Sequence, residues 1–484
     1  MKGADMLSSI LTVEQIKKIH SASLSILEKI GVHIPHGQML QLFADSGAKV
    51  DFNTKIVKIP GSLVEKSLKI ASKKFILYGR DLTKTAEFGY GKRNYNSTAG
   101  QSSWVENTGD KRRYTTLEDV KTATRFAEAL DWINMPGAMS DPHELDVSWR
   151  SVEVLAEMIR NTTKPVTFWF HNRAATKFII DMLIALRGSA EKAEKFPLCY
   201  PFFEPISPLK FPFNGIDLIF ETARINLPVP IGPMAQMGMS APMSITATLA
   251  QQNAEILAGI CMTQLIKPGM PICYGGTCHA FDMASTQLIF GGPEQAILGV
   301  AMTQMGKHYG LPVYINVGLT DSKRADAQAG IEAGITLSFG AAAGADIFGH
   351  MGICGVDQGS SLDILLMQNE IISYTESTLR KLDFSDKALA LDEIAARGPG
   401  GNFIDTDFTA ENFRKELWFP KLFDRNYYQA WMDNKALSME DRCRQKKEEI
   451  LKNHKPEPVS FALDKTLTAI VNEAKKELGL ASKK

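Results

Sequence analysis

The sequence lacks an excess of charge of either sign. Its 484 residues include 54 Lys and Arg against 54 Asp and Glu, so the formal net charge is zero. A neutral chain creates no broad field that would hold a polyanion, so we expect no nucleic-acid partner. No run of about 18 uncharged apolar residues occurs, and we therefore expect no membrane-spanning helix either.

Cysteine is scarce as well. The chain has six cysteines, and no two of them form a C-x-x-C pair. A chain of this length can bury a large core without disulfides. The first residues, Met1 to Asp5, carry no signal-peptide pattern, so we expect a cytoplasmic protein.

Several catalytic motifs are missing. The sequence contains no H-E-x-x-H of zinc hydrolases and no G-x-S-x-G nucleophile elbow, and no phosphate-binding loop stands out. Cys273, Cys278 and His279 lie close together, but their spacing does not match a zinc-ligand set. We therefore expect no metal site, although a metal-assisted hydrolase or lyase remains an alternative.

What the sequence does contain, after residue 90, is a regular alternation of short apolar segments and helical stretches. The predicted strands are Asn94–Gly100, Trp132–Met139, Pro165–His171, Leu198–Glu204, Val229–Gln236, Pro271–His279, Pro312–Gly318 and Asp346–Met351. Nearly continuous apolar segments are typical of parallel strands that are covered on both faces. Eight such alternations predict an α/β fold, a closed (β/α)8 TIM barrel, with an open doubly wound sheet as the alternative.

The pattern of predicted helices and strands divides the chain into three parts. Residues 1–90 form an N-terminal α+β segment of helices and short strands, residues 91–385 the barrel, and residues 386–484 a C-terminal helical extension. Large barrel enzymes with helical tails commonly assemble, so we expect a homo-oligomer.

Candidate site residues follow from the barrel itself, since such enzymes build their sites at the carboxyl ends of the strands. Glu204 is the sharpest candidate, because a carboxylate that ends an apolar strand is seldom incidental. Each candidate also has a structural reading, as a hydrogen-bonded loop residue or as barrel core. The polar candidates are Gln101, Asp141, His171, Glu204, Gln236, His279, Asp282, Asn316, Asp321 and His350, and the aromatic ones are Tyr95, Trp169, Phe170, Phe203, Tyr274, Tyr314 and Phe348.

Three stretches carry a family resemblance. The first runs from Pro312 through Gly318-Leu319-Thr320-Asp321 to Asp326-Ala327-Gln328-Ala329-Gly330; the second is Asp282-Met283 with Gly291-Gly292-Pro293-Glu294; the third combines Gly398-Pro399-Gly400-Gly401, Trp418-x-Pro420 and Asp424-Arg425-x-x-Tyr428-x-x-Trp431. In this order they resemble the trimethylamine methyltransferase family over essentially the whole chain.

The resemblance implies a barrel that hands a substrate methyl group to the cobalt(I) of a separate corrinoid protein. Typical members carry pyrrolysine, whereas this chain has only standard residues, so it resembles the branch without pyrrolysine. Within that branch it resembles the glycine betaine:corrinoid methyltransferases, which form dimethylglycine. Proline betaine and carnitine remain alternative substrates. Asn402 is a second departure, since the family is expected to favour His there.

The resemblance also implies partners and roles. We expect a cognate corrinoid protein carrying cob(I)alamin, a small quaternary amine as substrate, and no tightly bound cofactor. A cationic substrate calls for aromatic faces or a carboxylate, and a betaine carboxylate calls for polar groups. The Lys323-Arg324 pair is a candidate contact for an acidic partner, although a solvated start of the following helix is the favoured interpretation of these two residues. The assigned roles are catalytic for Glu204 and His350, substrate-binding for Tyr95, Phe170, Gln236, Tyr274, His279, Asn316 and Phe348, and corrinoid-binding for Asp321.

Overall fold

The computed structural model describes residues 8–106 and 111–481. The chain begins with helices α1 to α3 and two small antiparallel sheets, β1-β3-β2 and β4-β5. A π-helical turn, Ile26–Ile30, follows α1 directly. The bounds of these elements are Val13–Ser25 (α1), Val32–His33 (β1), Gly37–Asp45 (α2), Lys49–Asp51 (β2), Ile56–Lys58 (β3), Gly61–Ile70 (α3), Phe75–Tyr78 (β4) and Thr85–Phe88 (β5).

The β4-β5 hairpin closes the amino end of the barrel. Phe75 and Phe88 stack with ring centroids 4.3 Å apart and pack against buried barrel residues such as Tyr200. The backbone beside the hairpin also bonds to residues that precede barrel strands, since Gly89 N–H donates to the Asp346 carboxylate at 3.0 Å. Only the carboxyl end of the barrel is therefore left to host a site.

Five strands form the continuous part of the barrel, a parallel sheet in the order β6-β15-β14-β11-β9. Its strands are Asn94–Ser97 (β6), Val229–Ile231 (β9), Ile272–Gly276 (β11), Val313–Ile315 (β14) and Ile347–Met351 (β15). Three extended segments, around residues 135, 167 and 200, complete the ring. Their links are the pairs Asn96–Met135, Gly137–Thr167 and Phe203–Ile231, and the bond from Val166 N to Leu198 O at 3.1 Å. The predicted eight-stranded closed barrel is confirmed.

Three predicted strands do not form continuous ladders in the part of the chain that the structure describes. They are Trp132–Met139, Pro165–His171 and Leu198–Glu204, which pair through single bridges. Each contains proline, for example Pro136 and Pro201, and proline has no N–H to donate to a ladder. The sequence therefore located these barrel positions but overestimated their regularity as strands.

Helices follow the eight barrel segments in the predicted order. Helix α9 is buried along its length from Thr248 to Gln264, because the barrel lies on one side and α1 and α3 pack on the other. A short helix that was not predicted, Ala190–Lys195 (α7), follows α6. The barrel helices are Leu117–Glu128 (α4), Arg150–Asn161 (α5), Arg173–Arg187 (α6), Phe213–Thr222 (α8), Ile245–Ile266 (α9), Pro293–His308 (α10), Ala327–Ala343 (α11) and Leu362–Thr378 (α12). Ala223–Ile225 forms a 3-10 turn after α8.

Two small sheets flank the carboxyl end of the barrel. One has the order β10-β12-β13 and the other β16-β17-β7-β8. They come from loops after the first, fifth, sixth and eighth barrel segments, so they form the rim of the barrel mouth. Their strands are Ser103–Glu106 (β7), Lys111–Tyr114 (β8), Gln236–Met237 (β10), His279–Asp282 (β12), Gln287–Ile289 (β13), Ile353–Cys354 (β16) and Gly359–Ser360 (β17).

The C-terminal part is helical, as expected. Helix α17 returns to the barrel, where Lys447 pairs with Asp363 at 2.8 Å, and α18 packs on α5 and α6. Helices α13 to α16 bury none of their residues, and Ile404 and Tyr427 are 86% and 92% exposed. Assembly would cover such a surface, and the homo-oligomer stays a prediction. The helices are Asp386–Leu389 (α13), Leu391–Arg397 (α14), Asp407–Glu416 (α15), Tyr428–Asp433 (α16), Met439–Asn453 (α17) and Phe461–Ala481 (α18).

Within the described ranges, none of the helices combines the length and the apolar character that crossing a bilayer requires.

Candidate active site at the mouth of the barrel

A cavity of about 250 Å³ lies at the carboxyl end of the barrel. Seven of the eight barrel segments, or the loops that follow them, contribute to its lining. Polar, aromatic and acidic side chains converge there, which is the arrangement expected of a small-molecule site. The lining residues are Gly100, Gln101, Trp169, Glu204, Met234, Thr277, Phe290, Asn316, His350 and Asp357.

A larger groove of about 600 Å³ lies between α11, α12 and the C-terminal extension. Its walls are largely apolar, with Ile331, Met367, Ile371 and Phe423 among them. Such a groove offers surface for packing but few groups for chemistry, so the smaller mouth cavity is the candidate active site.

Two carboxyl groups share the cavity. Glu204 is accessible from the open space of the cavity but is otherwise surrounded by protein, and this burial raises its pKa to about 7, with a contribution from the nearby charge of Asp357. Burial also raises the pKa of Asp357, to about 6, against the opposing effect of Gln101, whose Nε2 donates to Asp357 Oδ1 at 2.8 Å. In the part of the chain that the structure describes, no Lys or Arg lines the cavity. The cavity is therefore suited to a cation, which would stabilise both ionised carboxylates.

His350 closes the lining at the end of the eighth strand. Its backbone is in the left-handed region, with φ of 68°, an uncommon conformation for a residue with a side chain. Its ring lies 5.9 Å from that of Tyr314 and 6.1 Å from that of Trp169, between centroids. Burial lowers the pKa of His350 to about 4, so the imidazole is neutral at neutral pH and adds no positive charge to the cavity.

Asn316 is held by a second histidine behind the lining. His279 Nδ1 lies 3.2 Å from the carbonyl of Ile289, and its Nε2 lies 3.3 Å from Asn316 Nδ2. Burial lowers the pKa of His279 to about 3, so the ring is neutral. A neutral ring that donates from Nδ1 accepts the Asn316 amide at Nε2. His279 is thus a positioning residue, and Asn316 Oδ1 remains buried without a partner among the described residues.

Trp169 supplies an aromatic wall. Its Nε1 donates to the Gly100 carbonyl at 2.8 Å, which fixes the plane of the indole ring. Because a fixed ring needs no reordering when a ligand binds, it is preorganised for a contact with a cation. Gly100 and Gln101 therefore anchor two features of one wall, the indole of Trp169 and the carboxyl of Asp357.

The structure brings three of the ten assigned residues into the cavity lining, Glu204, Asn316 and His350, with His279 directly behind them. Gln101 and Trp169, which also line it, were candidates by position but received no assigned role. Asp357 was missed because it follows the short strand β16 rather than a barrel strand. The glycines at 352 and 355 marked that segment as a loop at the barrel mouth, and this was the available signal.

Three of the assigned aromatic residues lie outside the cavity, in the layer between strands and helices. Tyr95 donates to Glu376 of α12 and stacks on Phe348 at 5.0 Å between ring centroids. Tyr274 donates to Asn253 of α9 at 3.1 Å. Side chains of a barrel strand alternate between interior and exterior, and these three face the helices. The structure therefore gives them no contact with a ligand in the cavity.

The remaining assigned residues lie outside the cavity lining and contact residues near it. Phe170 stacks on Phe168 at 4.7 Å, and Gln236 pairs with His279 through the backbone of β10. Asp321 accepts the backbone N–H of Phe290 at 2.7 Å and of Gly291 at 3.2 Å. It thereby fixes the loop that carries Phe290 into the lining, and its contact with a corrinoid stays a prediction.

The two basic residues after the seventh strand have partners within the chain. Lys323 donates to the Asp321 carbonyl at 2.9 Å, and Arg324 bonds both carboxylate oxygens of Glu440, at 2.8 and 2.9 Å. The pair therefore contributes to loop structure and to the contact with α17. Asn402, at the position where the family was expected to favour His, accepts the backbone N–H of Ile404 at 3.2 Å on the exposed surface.

We expect Glu204→Gln to stabilise the protein at pH 8 but not at pH 5. The folded state raises the pKa of Glu204 from the ordinary 4.5 to about 7, so stability is lost as the pH rises between these values, and a side chain that cannot ionise avoids this loss. Thermal unfolding at both pH values measures it, with Glu118→Gln, at an exposed position, as the control. An equal shift in Tm at pH 5 and pH 8 would contradict this explanation.

Comparison with known proteins gives consistent matches over nearly the whole chain. The sequence profile described as "Trimethylamine methyltransferase (MTTB)" matches residues 2–479. Trimethylamine methyltransferase MttB of Desulfitobacterium hafniense DCB-2 is 31% identical, over 97% of this chain and 94% of the relative. Glycine betaine methyltransferase of Desulfitobacterium hafniense Y51 is 30% identical, over 97% and 98%.

Among solved structures, the monomethylamine methyltransferase MtmB of Methanosarcina barkeri is similar at 12% sequence identity and a TM-score of 0.49. The match covers 92% of this chain and 96% of that one. The barrel assignment rests on the hydrogen bonds between the eight segments of this chain.

Proposed function

The chain belongs to the trimethylamine methyltransferase family, and from this premise we propose that it moves a methyl group from a quaternary amine to the cobalt(I) of a separate corrinoid protein. Glycine betaine is the favoured substrate, supported by the 30% identical relative of that name, and its product would be dimethylglycine. The observation that carries the proposal is a cavity at the barrel mouth whose described lining has two carboxyls and an indole face but no Lys or Arg.

The chemistry of a quaternary amine needs little from the protein beyond placement. When the C–N bond breaks, nitrogen keeps the electron pair and leaves as a neutral tertiary amine, so no proton has to be delivered to it. The methyl carbon passes to the reduced cobalt, which supplies the electron pair of the new bond. Positioning and a preorganised field are then the main contributions of the enzyme, in keeping with the absence of a recognisable catalytic triad.

The dimensions of the cavity suit a small ligand. Sites for drug-sized molecules usually measure about 300–1,000 Å³, and this one measures about 250 Å³. Its position at the carboxyl end of the barrel leaves the substrate methyl group facing the side from which a corrinoid protein would approach. The amino end is closed by Phe75 and Phe88.

The absence of pyrrolysine supports a substrate that is already charged. All 484 residues are standard amino acids. Trimethylamine is a poor electrophile and needs a dedicated group to activate it, whereas a quaternary ammonium carries its positive charge permanently. The cavity provides carboxyls to face such a charge, Glu204 and Asp357.

Free cob(I)alamin offers a direct assay. We expect the purified protein to form methylcobalamin, followed by its absorbance spectrum, when glycine betaine is added and not when trimethylamine is added. Turnover of proline betaine or carnitine in place of glycine betaine would overturn the substrate assignment and leave the class intact. No methylcobalamin with any quaternary amine of a broad panel, or turnover of trimethylamine, would overturn the proposal.

The indole wall gives a separate expectation. Trp169→Leu removes the aromatic face and should raise KM for the quaternary amine about tenfold, since a cation–π contact is worth roughly 0.5–2 kcal/mol. Trp169→Phe keeps an aromatic face and should raise KM by less. Steady-state kinetics with both variants measures this contrast, and equal KM values for the Leu and Phe variants would show that the ring face does not bind the ammonium.

A further inference from the structure

A betaine presents two charges, and the cavity has an evident partner for only one of them. The ammonium can face a carboxylate, but the substrate carboxylate finds no Lys or Arg in the lining. The influences that shift Glu204 are burial and Asp357, and those that shift Asp357 are burial and Gln101. Among the described lining residues there is no Lys or Arg to pair with the substrate carboxylate, so we expect a neutral hydrogen-bond donor to bind it.

This inference rests on the proposed function. We propose that Glu204 and Asp357 share one proton and that each binds one end of a quaternary amine that carries a carboxylate. Ionised Asp357 faces the ammonium beside Trp169, and protonated Glu204 donates its O–H to the substrate carboxylate. The site thereby selects zwitterionic betaines, and one proton is bound together with the substrate.

The surroundings of the two groups decide which one holds the proton. Asp357 accepts a hydrogen bond from Gln101, which stabilises its ionised form. Among the described residues, Glu204 accepts no such bond, so its ionised form is the less stabilised of the two. Gly100 and Gln101 are consecutive in the chain and bond the Trp169 indole and Asp357, respectively, so we place the ammonium on this side of the cavity.

The other titratable groups near the pair are neutral or already paired. Burial keeps His350 and His279 uncharged by lowering their pKa, and raises the pKa of the Tyr314 phenol. The basic side chains of Lys323 and Arg112 act instead on the Cys354 thiol of the rim.

A further charged cluster lies at the ends of the second and third barrel segments. There Asp141 bonds Arg150 at 2.7 Å and His171 at 3.3 Å. Since these groups satisfy each other, the proton count in the cavity depends on Glu204 and Asp357.

Calorimetry with two ligands tests the proposal. Glycine betaine and tetramethylammonium, a probe without a carboxylate, are titrated into the protein at pH 8 in buffers that differ in ionisation enthalpy. We expect uptake of up to one proton with glycine betaine and no uptake with tetramethylammonium. Between pH 7.5 and 8.5 the Kd of glycine betaine should rise about tenfold, because the pair then lacks its proton, while that of tetramethylammonium stays flat.

Two substitutions of Glu204 distinguish binding of the substrate carboxylate from a purely structural role of this residue. Glu204→Gln keeps an N–H donor that cannot ionise, so it should bind glycine betaine without proton uptake and with a flat pH profile. Glu204→Leu should lose glycine betaine binding about 100-fold and keep tetramethylammonium binding, which also shows that the variant is folded.

Failure of the proton-sharing pair and failure of the methyl-transfer function would give different results. Glycine betaine binding without proton uptake in the unmodified protein would overturn the proton-sharing pair and leave the methyl-transfer function standing. Binding of neither ligand would overturn both.

Discussion

Asp357→Asn is expected to lower kcat/KM for methyl transfer from the quaternary amine by about 100-fold. The change keeps the size of the side chain and the hydrogen-bonding capacity toward Gln101, but it removes the carboxylate that faces the ammonium. Removing one partner of a close charge pair typically costs about 2–5 kcal/mol of binding. Because the positive charge on nitrogen is lost as the C–N bond breaks, we expect most of the loss in KM rather than in kcat. Among the described lining residues, Glu204 is the one other carboxyl, and that group is expected to hold the proton.

The measurement is the initial rate of methylcobalamin formation at several substrate concentrations. Asp282→Asn provides a matched control, because Asp282 lies on the same rim, in β12, and bonds its own turn at Ala284 and Ser285 rather than the cavity. We expect the control to retain kcat/KM within about twofold. A full rate for Asp357→Asn would show that the ammonium is bound without this carboxylate.

Gly349→Ala is expected to destabilise the protein by about 3 kcal/mol and to reduce methyl transfer by at least about 100-fold. A Cβ at this position would lie 1.7 Å from Tyr314 Oη and 2.1 Å from its Cζ. The Tyr314 ring is buried and packs on Phe202 at 4.9 Å between centroids, so it has little room to move. Overpacking of a core typically costs about 1–3 kcal/mol and occasionally more.

The effect on activity follows from the neighbour of this glycine. His350 comes next in the strand, and a shift of the backbone would move it out of the lining, where a misplacement of about 1 Å can cost about 100-fold in rate. Gly330→Ala is the control, since no atom lies within 4 Å of its added Cβ and it sits in α11. The free energy of unfolding of the Gly330→Ala variant should rise by up to about 1 kcal/mol, because alanine favours a helix more than glycine does. Thermal unfolding curves and methyl-transfer rates of both variants test these expectations. An unchanged Tm for Gly349→Ala would contradict the packing of Gly349 against Tyr314.

The barrel could be predicted from the sequence because its signal is repeated eight times and is mostly local. Helix α9 is indicated by its length of 22 residues and α10 by Pro293 at its first position, and both lie between predicted strands, as the alternation requires. The proline-containing segments, for example Pro165–His171, were less regular than expected, because strand pairing depends on which N–H groups meet a neighbouring segment.

The site was harder to predict than the barrel. A residue at the end of a strand, such as Glu204 or Asn316, reaches the mouth whatever its neighbours are. A residue within a strand, such as Tyr95 or Tyr274, faces either the interior or the helices, and a shift by one position in register reverses the choice. Asp357 lies beyond the last barrel strand on a loop that Gly352 and Gly355 indicate. The course of that loop is set by long-range contacts, so the local pattern did not show that Asp357 enters the cavity.

The most direct test of the central claim is a crystal structure of the protein with glycine betaine bound. The claim is that the cavity at the barrel mouth holds the quaternary nitrogen between Asp357 and the face of Trp169, with a methyl group directed out of the barrel. We expect the nitrogen within about 6 Å of the centre of the indole ring and the substrate carboxylate at hydrogen-bond distance from Glu204. A ligand bound outside this cavity, or bound in it with every methyl group turned toward the closed amino end, would contradict the claim.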